Sequence, residues 1–133
     1  MNRDKAVQAT LFLLRVVSGL LFLQAGGVKI LDWFGGIPAN FGGHPHFPSQ
    51  VWFGGMLELI GGTLVFLGIF TRCAAFVLSG EMAAAYWQFH FKGDWPAQNH
   101  GEPAVLFCFI FLFFAAQGGG KWSLDHYMPW GKK

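Results

Sequence analysis

Charge is scarce in this chain. Charged side chains make up 12% of its 133 residues, about half the share of an average soluble domain. A small soluble domain has a large surface to cover with polar groups, and this sequence does not contain them. Net charge is only +2, which leaves no field suited to nucleic acid. Cysteine is nearly absent: Cys73 and Cys108 stand alone and no CxxC occurs, so neither a zinc ribbon nor a thioredoxin-like site is supported. No haem, flavin or nucleotide motif is found either.

What the chain holds instead is apolar. Hydrophobic residues reach 53% and aromatics 18%, and the mean hydropathy is +0.41. The length allows one domain, 1–133, and the class is an all-α membrane protein with four transmembrane helices. The first apolar run continues to about Val28, too long for a signal core, and is read as a retained span. The helices are expected at about 6–28, 51–70, 73–90 and 104–117. About twenty residues cross a hydrocarbon core of ~30 Å. The last run is short, so it is expected to begin before Ala104, with Pro103 in its first turn. Thr71-Arg72 forms the turn between helices 2 and 3. Prolines and glycines break the segments between the other helices. Arg3, Lys5, Arg72, Lys121, Lys132 and Lys133 fall on one side, against Lys29 and Lys92 on the other. That asymmetry predicts both termini in the cytoplasm.

The stretch from Gly54 to Gly68 organises the rest. On a helix Gly54, Glu58, Gly61, Val65 and Gly68 share one narrow stripe. Its glycines let another helix come close, with Glu58 at the contact. An ionisable group in such a helix costs about 2.5–3.5 kcal/mol unless it is compensated. Arg15 in helix 1 and Glu81 in helix 3 are expected at the same depth as Glu58. One guanidinium can bridge two carboxylates, but it cannot neutralise both, and two like charges together favour a protonated acid. Arg15, Glu58 and Glu81 are therefore the candidate catalytic residues. A plain structural role, holding the helices in register, weighs equally.

A second polar group lies toward the outer end: Lys29, Asp32, His44, His46, His90, Asp94, Asn99, His100 and Glu102. His44-Pro45-His46 offers two imidazoles but no recognised ligand spacing, and interfacial hydrogen bonding is favoured over a metal. A quinone headgroup needs donors for its carbonyls. Lys29, Gln88, His90, His100 and Glu102 form the candidate cofactor-binding set, with Trp52, Trp87 and Trp95 able to pack on the ring or to serve as an interfacial belt. Cys73 and Cys108 are expected in opposite leaflets, too far apart for a disulfide.

Several pieces together carry a resemblance. They are Leu21-Phe22-Leu23-Gln24-Ala25-Gly26-Gly27-Val28-Lys29, Glu58-Leu59-Ile60-Gly61-Gly62 through Gly68-Ile69-Phe70-Thr71-Arg72, Ala74-Ala75 to Glu81-Met82, His100-Gly101-Glu102, and Gly118-Gly119-Gly120-Lys121-Trp122-Ser123-Leu124-Asp125. In order and spacing the chain resembles the DoxX family of small four-helix membrane proteins, over nearly its whole length. One position departs: Ala25 stands where such proteins often have a polar residue, frequently His. The resemblance implies a multi-pass protein of the prokaryotic cytoplasmic membrane, linked to membrane redox chemistry through thiosulfate:quinone oxidoreductase subunits.

The function expected is a quinone-interacting, redox-associated membrane subunit, with quinone as the cofactor and a soluble or membrane protein as redox partner. The bilayer is the other partner, and a homo-oligomer is compatible with the sequence. The alternative is a non-enzymatic assembly, chaperone or scaffold protein that docks other transmembrane helices. A small-solute transporter ranks below both, because no inverted repeat is visible.

Overall fold

Glycine-lined faces decide how the helices of this protein meet. The structure, a computed structural model, describes residues 2–90, 95–96 and 101–131, and no strand occurs among them. Helix α1 spans Arg3–Ile30, with the Asn2 side chain accepting the Lys5 N–H at 2.9 Å. Helix α2 spans Gln50–Leu67, and the Ser49 hydroxyl accepts the Trp52 N–H at 3.2 Å. Helix α3 spans Thr71–Ala85 and runs on into a π turn, Tyr86–His90. Helix α4 spans Glu102–Gln117, with Pro103 in its first turn. A one-turn helix, α5, follows at Leu124–Tyr127. Helices α1 and α2 are long and apolar enough to cross a membrane, while α4 is apolar but shorter, at 16 residues.

The ends of these helices differ from the expected ones for local reasons. Helix α2 stops at Leu67 rather than residue 70, because Gly68 turns left-handed at φ 75° and its N–H bonds back to the Leu64 and Val65 carbonyls. Glycine adopts that backbone without steric cost. The turn into α3 is therefore Gly68–Phe70, and Thr71 already belongs to α3. Helix α4 starts at Glu102, before Ala104 as expected.

Helices α1 and α2 touch backbone to backbone. A Cβ added at Gly19 would lie 2.4 Å from Phe66 N, one at Gly26 2.3 Å from Leu59 N, and one at Gly62 2.4 Å from Leu23 N. Gly19 thus faces Phe66, Leu23 faces Gly62 and Gly26 faces Leu59, an antiparallel register. The expected stripe is offset. Gly55 and Gly62 face α1, whereas Gly54 and Gly61 face Glu81 and Leu78 of α3. Phe22 of α1 packs edge-on against Phe111 and at a tilt against Phe107 of α4, at centroid distances of 4.6 and 5.0 Å. Val65, Leu78, Met82 and Phe114 complete this buried core.

The register corrects the expected depth of Arg15. Continued from Gly19 opposite Phe66, it places Arg15 where α2 has already ended, and a Cβ at Gly68 would meet the Arg15 guanidinium carbon at 3.1 Å. Gly68 lies ten residues past Glu58, about 15 Å along the helix. Arg15 therefore cannot join Glu58 and Glu81. It is 2% exposed and donates instead to the carbonyls of Gly119, at 2.9 Å, and Trp122, at 3.2 Å. The earlier turns of α1 extend past α2 and pack on the same C-terminal segment. There Gln8 Oε1 accepts the Lys121 N–H at 2.9 Å.

That segment also caps α3. Phe70, at the N-cap position, has no capping side chain. Asp125 takes over, accepting the Phe70 N–H at 2.7 Å and the Thr71 N–H at 2.9 Å, as well as the Trp130 indole N–H at 2.7 Å. Partial burial works against the Asp125 charge. The hydrogen bonds from Thr71, Trp130 and Phe70 outweigh it and hold the carboxyl below its ordinary value.

The two cysteines are closer in level than expected. The Ser79 hydroxyl donates to the Cys108 carbonyl at 2.7 Å, so Cys108 sits level with the middle of α3, and Cys73 lies near its start. Six residues separate Ser79 from Cys73, about 9 Å of rise, and both thiols are free.

Candidate functional site

A cavity of about 770 Å³ occupies the end of the molecule where α1 finishes, α2 begins and α3 finishes. Ligand sites commonly fall between about 300 and 1,000 Å³ and are mostly apolar, with few polar groups. The walls here are Phe22 and Ala25 of α1, Phe53, Gly54 and Leu57 of α2, Val77, Met82 and Ala85 of α3, Ala104 and Phe107 of α4, and Ile37 and Phe41 of the α1–α2 connection. Phe53, Leu57 and Val77 of this wall are also exposed.

The polar side chains in it are Lys29, Gln50, Glu58, Glu81 and Gln88. Glu58 is 4% exposed. Its answer is Lys29, in the last turn of α1, whose ammonium donates to Oε1 at 2.8 Å and Oε2 at 2.9 Å. A buried carboxylate held at both oxygens by an ammonium is compensated in the way that burial demands. The Lys29 side chain is 31% exposed, against 5% for Glu58, so the pair runs from the surface inward.

Glu81 joins this pair from α3. It stands next to Glu58 and within electrostatic reach of Lys29. Its Oε2 is buried and makes no hydrogen bond. The two carboxyl groups share one ammonium, which can balance one of the two charges.

Adjacent glycines make room for these groups. A Cβ at Gly54 would stand 3.1 Å from Glu81 Oε1, and one at Gly55 would stand 3.0 Å from Lys29 Cβ. Gly54 and Gly55 therefore admit Glu81 from one side and Lys29 from the other.

The structure brings together four of the expected residues, Glu58, Glu81, Lys29 and Gln88. Arg15 lies at the opposite end. Glu102 is exposed in the first turn of α4 and does not line the cavity. The His90 side chain, Asp94, Asn99 and His100 lie outside the described residues. The aromatic walls are phenylalanines; among the described residues Trp52, Trp87 and Trp95 do not line the cavity. His44 Nδ1 meets Asp32 Oδ1 at 3.0 Å on the surface. Gln50 is the functional residue that sequence reading missed. It hydrogen-bonds through Nε2 to Gln88 Oε1 across the cavity end. Its spacing to Gly54 and Glu58, four and eight residues, is the signal that could have found it.

A second hollow, of about 450 Å³, lies at the other end among Thr71, Arg72, Gly118, Asp125 and Trp130. Its charged groups already serve the backbone: Asp125 caps α3, and Arg72 Nε donates to the Ala115 carbonyl at 3.0 Å. The first cavity is the candidate site.

Comparison with known proteins fits this picture. An uncharacterized protein of Haemophilus influenzae is 36% identical over 129 residues, covering 94% of this chain and 95% of that relative. A Bacillus subtilis protein named "putative oxidoreductase CatD" is 29% identical, covering 98% and 95% of the two chains. An uncharacterized membrane protein of Mycobacterium tuberculosis is 29% identical, covering 84% and 77%. No solved structure matches the chain significantly. The DoxX family model matches residues 10–91, and with that span covering most of the helices and the whole Lys29–Glu58–Glu81 cluster, this chain belongs to the DoxX family of membrane proteins.

Proposed function

We propose that this protein is a redox-associated subunit of a prokaryotic cytoplasmic membrane whose cavity receives the ring of a quinone. In this reading α1 to α4 cross the bilayer as a four-helix bundle, with both termini in the cytoplasm and the cavity in the outer half. The excess of lysine and arginine at the tail end supports that orientation. The π turn extends α3 to 20 residues, and α4 spans a locally thinned bilayer.

The observation that carries the reading is Glu81, a carboxyl beside the Lys29–Glu58 pair in the wall of a mostly apolar cavity. A quinone is dissolved in the membrane and would enter from the lipid. When bound it supplies two-electron, two-proton chemistry. The chain's own residues do the rest. Phe22, Phe53 and Phe107 exclude water from the ring, Lys29 holds Glu58 in place, and Glu58 and Glu81 hold and pass a proton. Electrons pass to or from a soluble or membrane partner, because the sequence carries no redox motif of its own. The printed name of the Bacillus subtilis relative points the same way.

The test is quinone content per chain, extracted from protein purified in native lipid, for wild type and Glu81→Gln. Near-stoichiometric quinone in the wild type, falling in the variant, is the expected result. A folded wild type without quinone overturns the reading in favour of an assembly role.

A further inference from the structure

We propose that residues 36–43 form a flap that swings between two pairs of glycines and closes the end of the cavity, so that it controls how fast an occupant enters and leaves. This rests on reading the cavity as a quinone site and adds how that site is gated.

The α1–α2 connection is firm at its base and loose beyond it. At the base the Trp33 ring fills the space that a side chain at Gly27 of α1 would need, and Asp32 Oδ1 meets His44 Nδ1 at 3.0 Å. Inside that closure stand Gly35-Gly36 and Gly42-Gly43, all four at positive φ: 88°, 73°, 109° and 68°. Glycine moves through such backbone conformations at the least steric cost. A Cβ at Gly35, Gly42 or Gly43 would meet no heavy atom within 4 Å, so nothing packs on these three positions to fix them. The piece between the pairs holds itself together. The Phe41 and Gly43 N–H groups donate to the Pro38 carbonyl at 2.9 and 3.1 Å, and the Gly42 N–H donates to the Ala39 carbonyl at 3.2 Å. Among the described residues no hydrogen bond ties 37–43 to any of the helices α1 to α5. This piece reaches the cavity through Ile37 and Phe41, which both line it. Phe41 is 76% exposed, so it stands at the rim and little apolar burial holds it there. The segment can therefore move as a unit without breaking a hydrogen bond, whereas the helical walls cannot. Short loop positions that absorb a change of φ and ψ at both ends of a rigid piece are the form that a hinge takes.

The test is kinetic. The full chain is reconstituted in quinone-free lipid nanodiscs, and the association and dissociation rates of a short-tailed quinone are followed by quenching of intrinsic tryptophan fluorescence. Ile37→Ala combined with Phe41→Ala strips the flap of its hold on the cavity and is expected to raise both rates, association by about threefold to tenfold. A static wall would only lose contacts with the occupant, which raises dissociation and leaves association as it was. Gly35→Asn combined with Gly43→Asn narrows both hinges with a residue that tolerates left-handed backbone. It is expected to slow both rates by about twofold to fivefold, the range for a glycine's lost conformational freedom, with the affinity little changed. Phe34→Ala is the control: its ring is 84% exposed and is not part of the cavity wall, so both rates should match the wild type. An association rate unchanged in both double variants overturns the flap while leaving the cavity a quinone site. A wild type that binds no quinone overturns both.

Discussion

Replacing Gly26 with alanine adds one methyl group where α1 has no room for it. The new Cβ would lie 2.3 Å from Leu59 N, 2.6 Å from Leu59 Cα and 2.8 Å from the Gly55 carbonyl oxygen. All three are backbone atoms, so no side chain can rotate out of the way. Ordinary contact begins at 3.4 Å, and reaching it requires α1 and α2 to part locally by about 1.1 Å. Overpacking of this kind costs about 1–3 kcal/mol. Lys29 lies three residues further on, less than one turn. If α1 retreats as a rigid rod, the 2.8 Å contact to Glu58 opens to about 3.9 Å, past hydrogen-bond range, and a buried carboxylate loses part of its compensation. A total near 3 kcal/mol is expected, measured as reversible unfolding in mixed micelles of mild detergent and dodecyl sulfate. Gly80→Ala is the control: a Cβ at Gly80 meets no heavy atom within 4 Å, and removing an interior helical glycine stabilises by about 0.5–1 kcal/mol. Equal stabilities for the two variants would refute the close approach of α1 and α2.

Two further outcomes concern the opposite end. Arg15→Ala strips the donors from the Gly119 and Trp122 carbonyls. At about 1.5–3 kcal/mol for each charge-assisted bond, a loss of about 3 kcal/mol and faster proteolysis of residues 118–131 are expected, and an unchanged cleavage rate would contradict the assignment. Asp125 has its folded value held down by its hydrogen bonds, so its stabilising effect is complete above its unfolded value near pH 4 and is lost as pH falls through the lower, folded value. Wild-type stability should therefore decline in acid below about pH 4. Asp125→Asn should show a shallower decline and, at neutral pH, a deficit of about 1 kcal/mol typical of a lost helix cap; parallel pH profiles of the two proteins would count against it.

The sequence made the helical class legible because long apolar runs broken by glycine and proline leave few alternatives. It also made Glu58 legible as a residue in need of a partner, since an acid in an apolar helix always is. The partner itself was not legible. Depth was counted from helix ends, and α1 begins at Arg3 while α2 stops at Leu67, which moves Arg15 to the end of the bundle and brings Lys29 to Glu58. In the sequence Lys29 reads only as one of the outer donors, because nothing in its spacing shows the salt bridge to Glu58. Glu81 beside Glu58 follows from their equal depths in neighbouring helices, and Gln88 at the cavity from its seven-residue spacing to Glu81. The offset between the Gly54 stripe and the Gly55 stripe does not follow in this way, because neighbouring glycines on one helix look alike until the facing helix is known. The role of Asp125 could not be read at all. A cap supplied from 54 residues away leaves no local pattern.

That distant cap has a consequence for how the chain is made. A ribosome delivers α1, α2 and α3 long before residue 119 exists. During that interval the guanidinium of Arg15 has no carbonyl to hold and the first amides of α3 have no acceptor. Both needs are met together, by one short segment synthesised after α4. Insertion of the helices and closure of the fold are therefore separate events in time, and a nascent chain halted after α4 would have its cavity walls in place while its other end stayed open.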